Sequence, residues 1–230
     1  MNELPLNQII NGDCLEFMKT LPDNCIDLVV TDPPYGDNIG YGRNDKEILN
    51  NEDESINYKF LEIIYSKMKI NTTMYLFSNW KFEVLLRNWI TKNSKFNIRM
   101  LLIIVKNNIG MGFNFRNQYE VCLVLEKGNP KYNLNNFSNI MNIDNIVHSS
   151  ETHPHTKALN IGRQILNHSS KCGDLVFDGF AGSGSFLIAC KKLGRNFIGC
   201  ELDISYYDIA NKRLRETEPE TCYATQTRLF

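Results

Sequence analysis

Short apolar segments alternate with longer amphipathic segments along this chain, and this alternation restricts the fold more than any other feature. Short apolar runs that end at Gly, Pro or Asn predict strands, whereas the longer segments have helical spacing. Strands that alternate with helices are typical of a mostly parallel sheet with helices on both faces, so we expect an α/β fold. The predicted strands are 7–10, 25–31, 74–78, 98–106, 119–126, 174–180 and 196–201, and the predicted helices are 57–69, 80–92, 157–170, 184–193 and 204–215.

The predicted strands 98–106 and 119–126 have no helix between them, which favours an antiparallel hairpin at one edge of the sheet. The length of 230 residues suits a single domain, 1–230. Two segments, 36–56 and 128–152, lack periodicity and are longer than the usual connection in a compact domain. Long loops of this kind act as lids or binding elements. We therefore predict a mobile loop near the functional site at 36–56 and a small binding insertion at 128–152.

The composition argues against several classes of protein. The chain has no long apolar run and does not begin with a basic segment followed by an apolar one, so we expect neither a membrane span nor a signal peptide. A cytoplasmic location follows as the expectation. The seven cysteines never form a C-x-x-C pair, which favours free thiols over a disulfide framework and predicts no metal site.

Charge is unevenly distributed along the chain, although the net charge is only -1. Residues 1–60 hold twelve acids and four bases, whereas residues 87–131 hold eight bases and two acids. A local basic face can attract a polyanion on a protein of nearly neutral charge. A solvated face between strands explains the same pattern equally well, so charge alone does not decide between them.

A glycine-rich turn follows the predicted strand 174–180. Glycines let the backbone approach a ligand closely, and the first amides of the following helix offer hydrogen-bond donors. Glu201 ends the next strand, where a carboxylate can accept hydrogen bonds from both ribose hydroxyls. The dinucleotide fingerprint needs a third glycine at the position of Leu187, so a nucleoside without pyrophosphate is favoured over NAD. A purely structural turn is the alternative.

The chain resembles a known family through six motifs whose order is as informative as their content. It is similar to the β group of DNA amino-methyltransferases, which use S-adenosylmethionine and carry a D-P-P-Y block before an F-x-G-x-G block. The resemblance implies a Rossmann-like methyltransferase fold with a circularly permuted motif order. The matching motifs are Asn11-Gly12-Asp13-Cys14, Asp32-Pro33-Pro34-Tyr35, Gln118-Tyr119-Glu120, His153-Pro154 with Lys157, Phe180-Ala181-Gly182-Ser183-Gly184, and Glu201.

The resemblance also implies roles for individual residues in binding S-adenosylmethionine. Asp13 would accept from the adenine amine of the cofactor, Glu201 would hold the ribose, and Lys157 would lie near the cofactor carboxylate. Two departures occur: the family's H-P-T-Q-K-P reads H-P-H-T-K-A here, and its D-P-F reads D-G-F. The full predicted cofactor set is Asp13, Cys14, Lys157, Asp178, Phe180, Ala181, Gly182, Ser183, Gly184, Ser185, Glu201 and Leu202.

The D-P-P-Y block has the groups that methyl transfer to an exocyclic amine requires. The amine of a nucleobase is a weak nucleophile, so the enzyme must position it and stabilise its developing positive charge. We expect the Asp32 carboxylate and the Pro33 carbonyl to accept its two N–H groups, with Pro33 and Pro34 stiffening the turn. Tyr35 would stack on a base that has left the helix.

The resemblance favours N6 of adenine in double-stranded DNA as the target, because cytosine members more often carry Ser before P-P-Y. The insertion at 128–152 would then recognise the target sequence. An RNA-base methyltransferase, an N4-cytosine methyltransferase and a non-catalytic nucleoside-binding or DNA-binding subunit are the alternatives. A homodimer and a cognate restriction endonuclease are compatible with the sequence as partners.

Overall fold

The computed structural model describes residues 3–35, 55–106, 109, 114–142 and 154–220, with only the backbone at 154–158. In these ranges eight strands form one sheet, and six helices cover its faces. The strands are β1 (Gln8–Asn11), β2 (Ile26–Thr31), β3 (Met68–Ser78), β4 (Asn97–Val105), β5 (Tyr119–Lys127), β6 (Ile140–Asn142), β7 (Leu175–Asp178) and β8 (Asn196–Glu201). The helices are α1 (Cys14–Thr20), α2 (Ser55–Lys67), α3 (Phe82–Asn93), α4 (Pro154–Ser169), α5 (Ser185–Lys192) and α6 (Ile204–Glu216).

The strand order is β1-β8-β7-β2-β3-β5-β4-β6. Strand β5 runs antiparallel to β3 and β4, and the other neighbouring pairs are parallel. The predicted α/β fold, with a mostly parallel sheet and an antiparallel hairpin, is therefore confirmed. The short strand β6 was not predicted, and it pairs with the outer side of β4.

Each face of the sheet packs on its own set of helices, as a side-chain period of two requires. Leu28 and Val30 of β2 face α4, α5 and α6, where Ile165 and Leu187 are fully buried. The intervening Val29 faces the second cluster, which α1, α2 and α3 complete. Because both faces are covered, the central strands are apolar on both sides, which is why they read as continuous apolar runs.

Strand β3 begins at Met68, whereas the sequence predicted a helix as far as 69 and a strand only from 74. The buried Lys127 explains the early end of α2. Its Nζ donates to the carbonyls of Tyr65 (2.8 Å) and Met68 (2.6 Å), which satisfies acceptors that the helix leaves unpaired at its end. Lys127 is thus a structural residue and not part of an exposed basic face.

Residues 128–142 pack against the end of α4. Asn133 donates its backbone N–H to the His168 carbonyl (2.8 Å), and the rings of Tyr132 and Phe137 stack on the His168 ring at 4.6 and 4.2 Å. The remainder of the predicted insertion 128–152, and nearly all of the predicted loop 36–56, lie outside the described residues. Their functional roles stay predictions.

Among the described residues, Cys14, Cys25, Cys122, Cys190 and Cys200 are free thiols. Cys172 is disulfide-bonded, so the expectation of free thiols is wrong at that position. In the described ranges every helix is too short or too polar to cross a bilayer.

Candidate active site

The carboxyl ends of four adjacent parallel strands form the candidate site. Asn11 at the end of β1 is opposite Glu201 at the end of β8, and Asp178 at the end of β7 is opposite Gly199. Strand β2 lies on the other side of β7 and leads into Asp32. Ligands bind at such strand ends in open α/β sheets. The motifs that the sequence singled out are therefore brought to one edge.

The D-P-P-Y loop is held by side-chain hydrogen bonds at both ends. The Tyr35 hydroxyl donates to Asp32 Oδ1, and Asn57 Nδ2 on α2 donates to the Pro34 carbonyl at 2.8 Å. Asn57 is buried, and its Oδ1 has no hydrogen-bond partner. The amide of Asn57 thus fixes the loop to α2 through Pro34. The role predicted for the Pro33 carbonyl stays a prediction.

The Asp32 carboxylate combines solvent access with an enclosing protein environment. Asp32 is exposed as a residue, yet desolvation is the largest influence on the pKa of its carboxyl group. Desolvation is the main cause that raises the pKa of Asp32 to about 7, and the charge of Glu120 contributes to this rise. The hydrogen bond from Tyr35 and the charge of Lys106 act in the opposite direction. A carboxylate of this basicity is a strong hydrogen-bond acceptor near neutral pH.

Asp178 links β7 to β2, the strand that leads into the D-P-P-Y block. Its Oδ1 accepts from Thr31 Oγ1 (2.9 Å) and from the Phe180 backbone N–H (3.1 Å). Its Oδ2 is buried without a hydrogen-bond partner. Burial is the main cause that raises the pKa of Asp178 to about 7, and the charges of Asp32 and Glu201 contribute to this rise. A buried carboxylate with an unpaired oxygen is a good acceptor for a cationic ligand.

The glycine turn between β7 and α5 has the conformation that the sequence predicts. Gly182 and Gly184 have φ angles of 51° and 78°, which side chains disfavour. Around Gly182 an added Cβ would meet nothing within 4 Å, so the turn has an open surface there. From α6, Arg213 donates to the Ser183 carbonyl and to Ser183 Oγ (2.9 Å). The guanidinium of Arg213 thus holds the turn from behind.

Glu201 and Asp13 occupy the ends of neighbouring strands β8 and β1. Glu201 Oε2 accepts from the Gly182 N–H (2.7 Å), and its Oε1 accepts from the Asp203 N–H (2.8 Å). Asp13 caps α1 by accepting from the Leu15 N–H at 2.8 Å. Both carboxylates are therefore fixed by backbone donors at the edge of the glycine turn.

The family's proline after Asp178 is replaced by Gly179, and the packing shows why. A Cβ at Gly179 would lie 2.5 Å from Cε2 of Phe60, a fully buried residue of α2. The Phe60 ring therefore fills the space that a side chain at this position would need. The departure from D-P-F is matched by a bulky aromatic neighbour, so it is a packing difference.

Comparison with known proteins agrees with this geometry. The family model described as DNA methylase, for N6 and N4 methyltransferases, matches residues 26–212. The chain belongs to this family. The predicted S-adenosylmethionine-dependent DNA amino-methyltransferase is confirmed at this level, and S-adenosylmethionine is the cofactor.

Relatives of the methylase cover most of its length. The Type II methyltransferase M.HpaI of Haemophilus parainfluenzae is 24% identical over 90% of this chain and 74% of its own, and M.HinfI of Haemophilus influenzae is 27% identical over 93% and 70%. The crystal structure of M1.HpyAVI is 25% identical with a TM-score of 0.66, covering 90% of this chain and 98% of its own. The cytosine-N4-specific PvuII DNA methyltransferase has a TM-score of 0.69 at 14% identity, covering 94% and 95%. These similarities confirm the Rossmann-like methyltransferase fold.

The side chains of the methylase suit S-adenosylmethionine, a cation with a ribose and an adenine. Asp178 offers an unpaired buried oxygen to positive charge, and the open surface at Gly182 leaves room for a ligand beside the turn. Glu201 and Asp13 are fixed acceptors at the next two strand ends. The predicted residues Phe180, Ala181, Ser183 and Ser185 belong to the same turn and the start of α5.

Three predicted cofactor residues of the methylase have different placements. Cys14 is the buried first residue of α1, and burial raises the pKa of its thiol, so a contact with the cofactor would use its backbone and not a thiolate. Leu202 is exposed directly after Glu201. Lys157 lies in α4, and its side chain is outside the described set.

Sequence patterns did not identify Thr31, Asn57 or Arg213. Each holds a site motif that is distant along the chain, by 147, 23 and 30 residues respectively. Only Thr31 had a local signal in the sequence, because it directly precedes the D-P-P-Y block. A hydroxyl at the end of a strand can form a hydrogen bond to the neighbouring strand. The other two come from helices whose docking the sequence does not specify residue by residue.

Proposed function

We propose that the methylase transfers the methyl group of S-adenosylmethionine to the N6 amine of adenine in double-stranded DNA, at a specific sequence and with the base flipped out. The observation that carries this proposal is the position of Asp32. Asp32 directly follows β2, and the neighbouring Thr31 donates a hydrogen bond to Asp178 of β7, the strand that leads into the glycine turn. Methyl acceptor and cofactor would thus meet at adjacent strand ends.

The cofactor supplies an electrophilic methyl group on a sulfonium. In the proposed reaction Asp32 and the Pro33 carbonyl accept the two N–H groups of the amine, which favours a pyramidal nitrogen with an available lone pair. As the nitrogen attacks the methyl carbon, the carbon–sulfur bond would break and S-adenosylhomocysteine would leave, while the nearby carboxylate stabilises the positive charge that develops on the nitrogen. The methylated amine then loses one proton, for which Asp32 is the nearest assigned acceptor. A pKa near 7 suits that step at neutral pH.

The loop is stiff enough for this task. The two prolines restrict φ, Asn57 fixes the Pro34 carbonyl, and the Tyr35 hydroxyl holds Asp32. The oxygen atoms are thereby preorganised before a base arrives, which is the main contribution a protein can make to a displacement of this kind. Tyr35 is proposed to present its ring to the flipped base, because an aromatic face replaces the stacking that the base loses.

Adenine is proposed over cytosine because the residue before P-P-Y is Asp32, an acid, where cytosine members of the group more often have Ser. N4 of cytosine is the second candidate, since the PvuII enzyme of similar fold is cytosine-N4-specific by its description. An RNA base is the third. We propose 128–152 as the part that recognises the target sequence, and 36–56 as a loop that moves near the base.

Direct analysis of the product tests the proposal. The methylase is incubated with labelled S-adenosylmethionine, unmethylated bacterial genomic DNA and total RNA. The nucleic acids are then digested to nucleosides, which are separated. We expect labelled N6-methyl-2′-deoxyadenosine, which comes from DNA, and no labelled ribonucleoside. Labelled N4-methyl-2′-deoxycytidine, or label in RNA alone, would contradict the proposal. Asp32→Ala should abolish transfer while cofactor affinity stays within a few fold, and retained transfer by this variant would refute the catalytic role of Asp32.

The partners of the methylase belong to the same proposal. Its relatives M.HpaI and M.HinfI are Type II methyltransferases, so we propose a role in DNA modification in the cytoplasm with a cognate restriction endonuclease. A homodimer is also proposed, because a single small recognition segment suits a short site read by two copies. Sedimentation with and without duplex DNA measures whether the methylase is a homodimer.

A further inference from the structure

Lys106 and Glu120 form an ion pair at the same sheet edge as Asp32. Lys106 directly follows β4, and Glu120 is the second residue of β5. The backbone N–H of Lys106 donates to the Gln118 carbonyl at 2.8 Å, which continues the pairing of the two strands. Because β5 is antiparallel to its neighbours, its beginning lies where β2, β3 and β4 end. The pair therefore stands at the carboxyl edge of the sheet.

The pair also lies on the same face of the sheet as Asp32. Side chains alternate between faces, so a residue shares the face of the residue two positions away. The residues two positions inward are Val30 for Asp32, Cys122 for Glu120 and Ile104 for Lys106. All three are buried in the same hydrophobic cluster. In the register, Cys122 is opposite Phe77 of β3, the strand between β2 and β5. Asp32 and the ion pair are thus on one face, at the edge of the same layer.

The two members of the pair act on Asp32 in opposite directions. Glu120 is the charged group that raises the pKa of Asp32 most, and Lys106 lowers it. The other titratable groups that face Asp32 are Tyr35, which donates a hydrogen bond, Cys122 on β5, and Asp178 on β7. Among the described side chains that influence Asp32, Lys106 alone carries a positive charge.

We propose that the Lys106–Glu120 ion pair is a positioning pair for the reaction: Glu120 makes Asp32 a stronger acceptor for the amine, and Lys106 keeps Asp32 ionised while it does so. The inference rests on the proposed function, because it assigns the pair a role through Asp32. Glu120 without Lys106 would hold a proton on Asp32 at neutral pH and block the site. Lys106 without Glu120 would leave Asp32 a weaker base. The pair together keeps its basicity near the working pH.

The test is the pH profile of kcat/KM for DNA in Glu120→Gln and Lys106→Gln. We expect the acidic limb to move to lower pH in Glu120→Gln and to higher pH in Lys106→Gln. The ratio of rates at pH 6 and pH 8 should rise in the first variant and fall in the second. A change of about twofold, equivalent to a limb shift of roughly 0.3 pH units, is sufficient to decide. Shifts in the same direction, or none in either variant, would overturn the inference.

The hairpin supplies a matched control at its other end. Arg99 of β4 and Glu126 of β5 form a cross-strand ion pair whose Nε and Oε1 atoms are 3.8 Å apart. Arg99 is exposed and lies at the amino end of β4, away from Asp32. Arg99→Gln removes a hairpin ion pair of the same kind and should leave the pH profile unchanged. A shift equal to that of Lys106→Gln would mean that hairpin stability, and not charge at Asp32, sets the profile.

Carbon-13 NMR of the aspartate carboxyl groups separates this inference from the proposed function. The Asp32 signal is assigned by its absence in Asp32→Asn, and its titration is followed without DNA. A lower titration midpoint in Glu120→Gln and a higher one in Lys106→Gln support the pair, whether or not the enzyme methylates adenine. Unchanged midpoints overturn it even where Asp32 is essential. Should one variant fail to fold, the midpoint in the other decides alone.

Discussion

Replacing Asp178 by Asn tests the electrostatics at the centre of the site. The Asp178 carboxylate is almost fully buried, one of its oxygens is unpaired, and its pKa is raised from 3.8 to about 7. The ionised form is therefore penalised in the folded state only. Asn keeps an oxygen that can accept from Thr31 and from the Phe180 N–H, and it does not titrate.

The expected magnitude follows from the titration range of Asp178. Below the unfolded-state value of 3.8, the carboxyl group is protonated in both states and carries no penalty. As pH rises towards about 7 the unfolded chain loses the proton and the folded chain keeps it, so stability falls. At most about 1.4 kcal/mol is lost per pH unit, and less near pH 7, where the folded form begins to ionise, so the loss between pH 5 and pH 7 is on the order of 2 kcal/mol. The loss is complete above about pH 7 and is absent from Asp178→Asn.

Urea unfolding at pH 5, 6, 7 and 8 measures this difference. The free energy of unfolding of Asp178→Asn minus that of the wild type should rise by about 2 kcal/mol from pH 5 to pH 7 and then level off. Any cost of burying the new amide is the same at each pH, so it moves the whole curve without changing its shape. A difference that is constant with pH would refute the assignment of a raised pKa to Asp178.

Three further substitutions probe the supports of the site. Asn57→Leu removes the donor to the Pro34 carbonyl. We expect kcat to fall on the order of tenfold and cofactor affinity, measured by calorimetry, to stay unchanged. A change in affinity with an unchanged kcat would contradict this expectation. Gly179→Ala should lower the free energy of unfolding by about 1–3 kcal/mol, because its Cβ would lie 2.5 Å from Phe60, and Phe60→Leu in the same chain should recover part of the loss. Arg213→Met should weaken S-adenosylmethionine binding about tenfold through loss of the hold on the glycine turn; unchanged binding would show that the turn keeps its shape without that side chain.

The parts of the site that lie at strand ends could be predicted from sequence. Apolar runs predicted strands that end at 31 and 201, as β2 and β8 do, and one that ends at 180, two residues beyond the end of β7 at Asp178. Local chemistry was sufficient for Asp32, Asp178 and Glu201, since a glycine turn or a proline pair constrains its own backbone. The register of neighbouring strands then brings them together.

The supports of these motifs could not be predicted in the same way. Asn57, Phe60 and Arg213 act on residues far along the chain, and each lies on a helix whose rotation about its axis decides what it meets. The buried Lys127 shows the same limit from the opposite side. The sequence analysis counted it among the bases of a possible basic surface, whereas in the structure it binds carbonyls at the end of α2. Charge patterns could not show this, because they do not reveal which face of a strand is covered.

The order of the motifs along the chain matters less than the order of the strands in the sheet. D-P-P-Y and the glycine turn are separated by most of the domain, yet β2 and β7 are direct neighbours, with Val29 opposite Phe177. The hydrogen bond from Thr31 to Asp178 spans 147 residues of sequence and joins the two loops at 2.9 Å. A permuted chain can therefore form the same site, provided that these two strands stay adjacent. The same adjacency makes Asp32 raise the pKa of Asp178, so the D-P-P-Y block and the glycine-turn strand are electrostatically coupled.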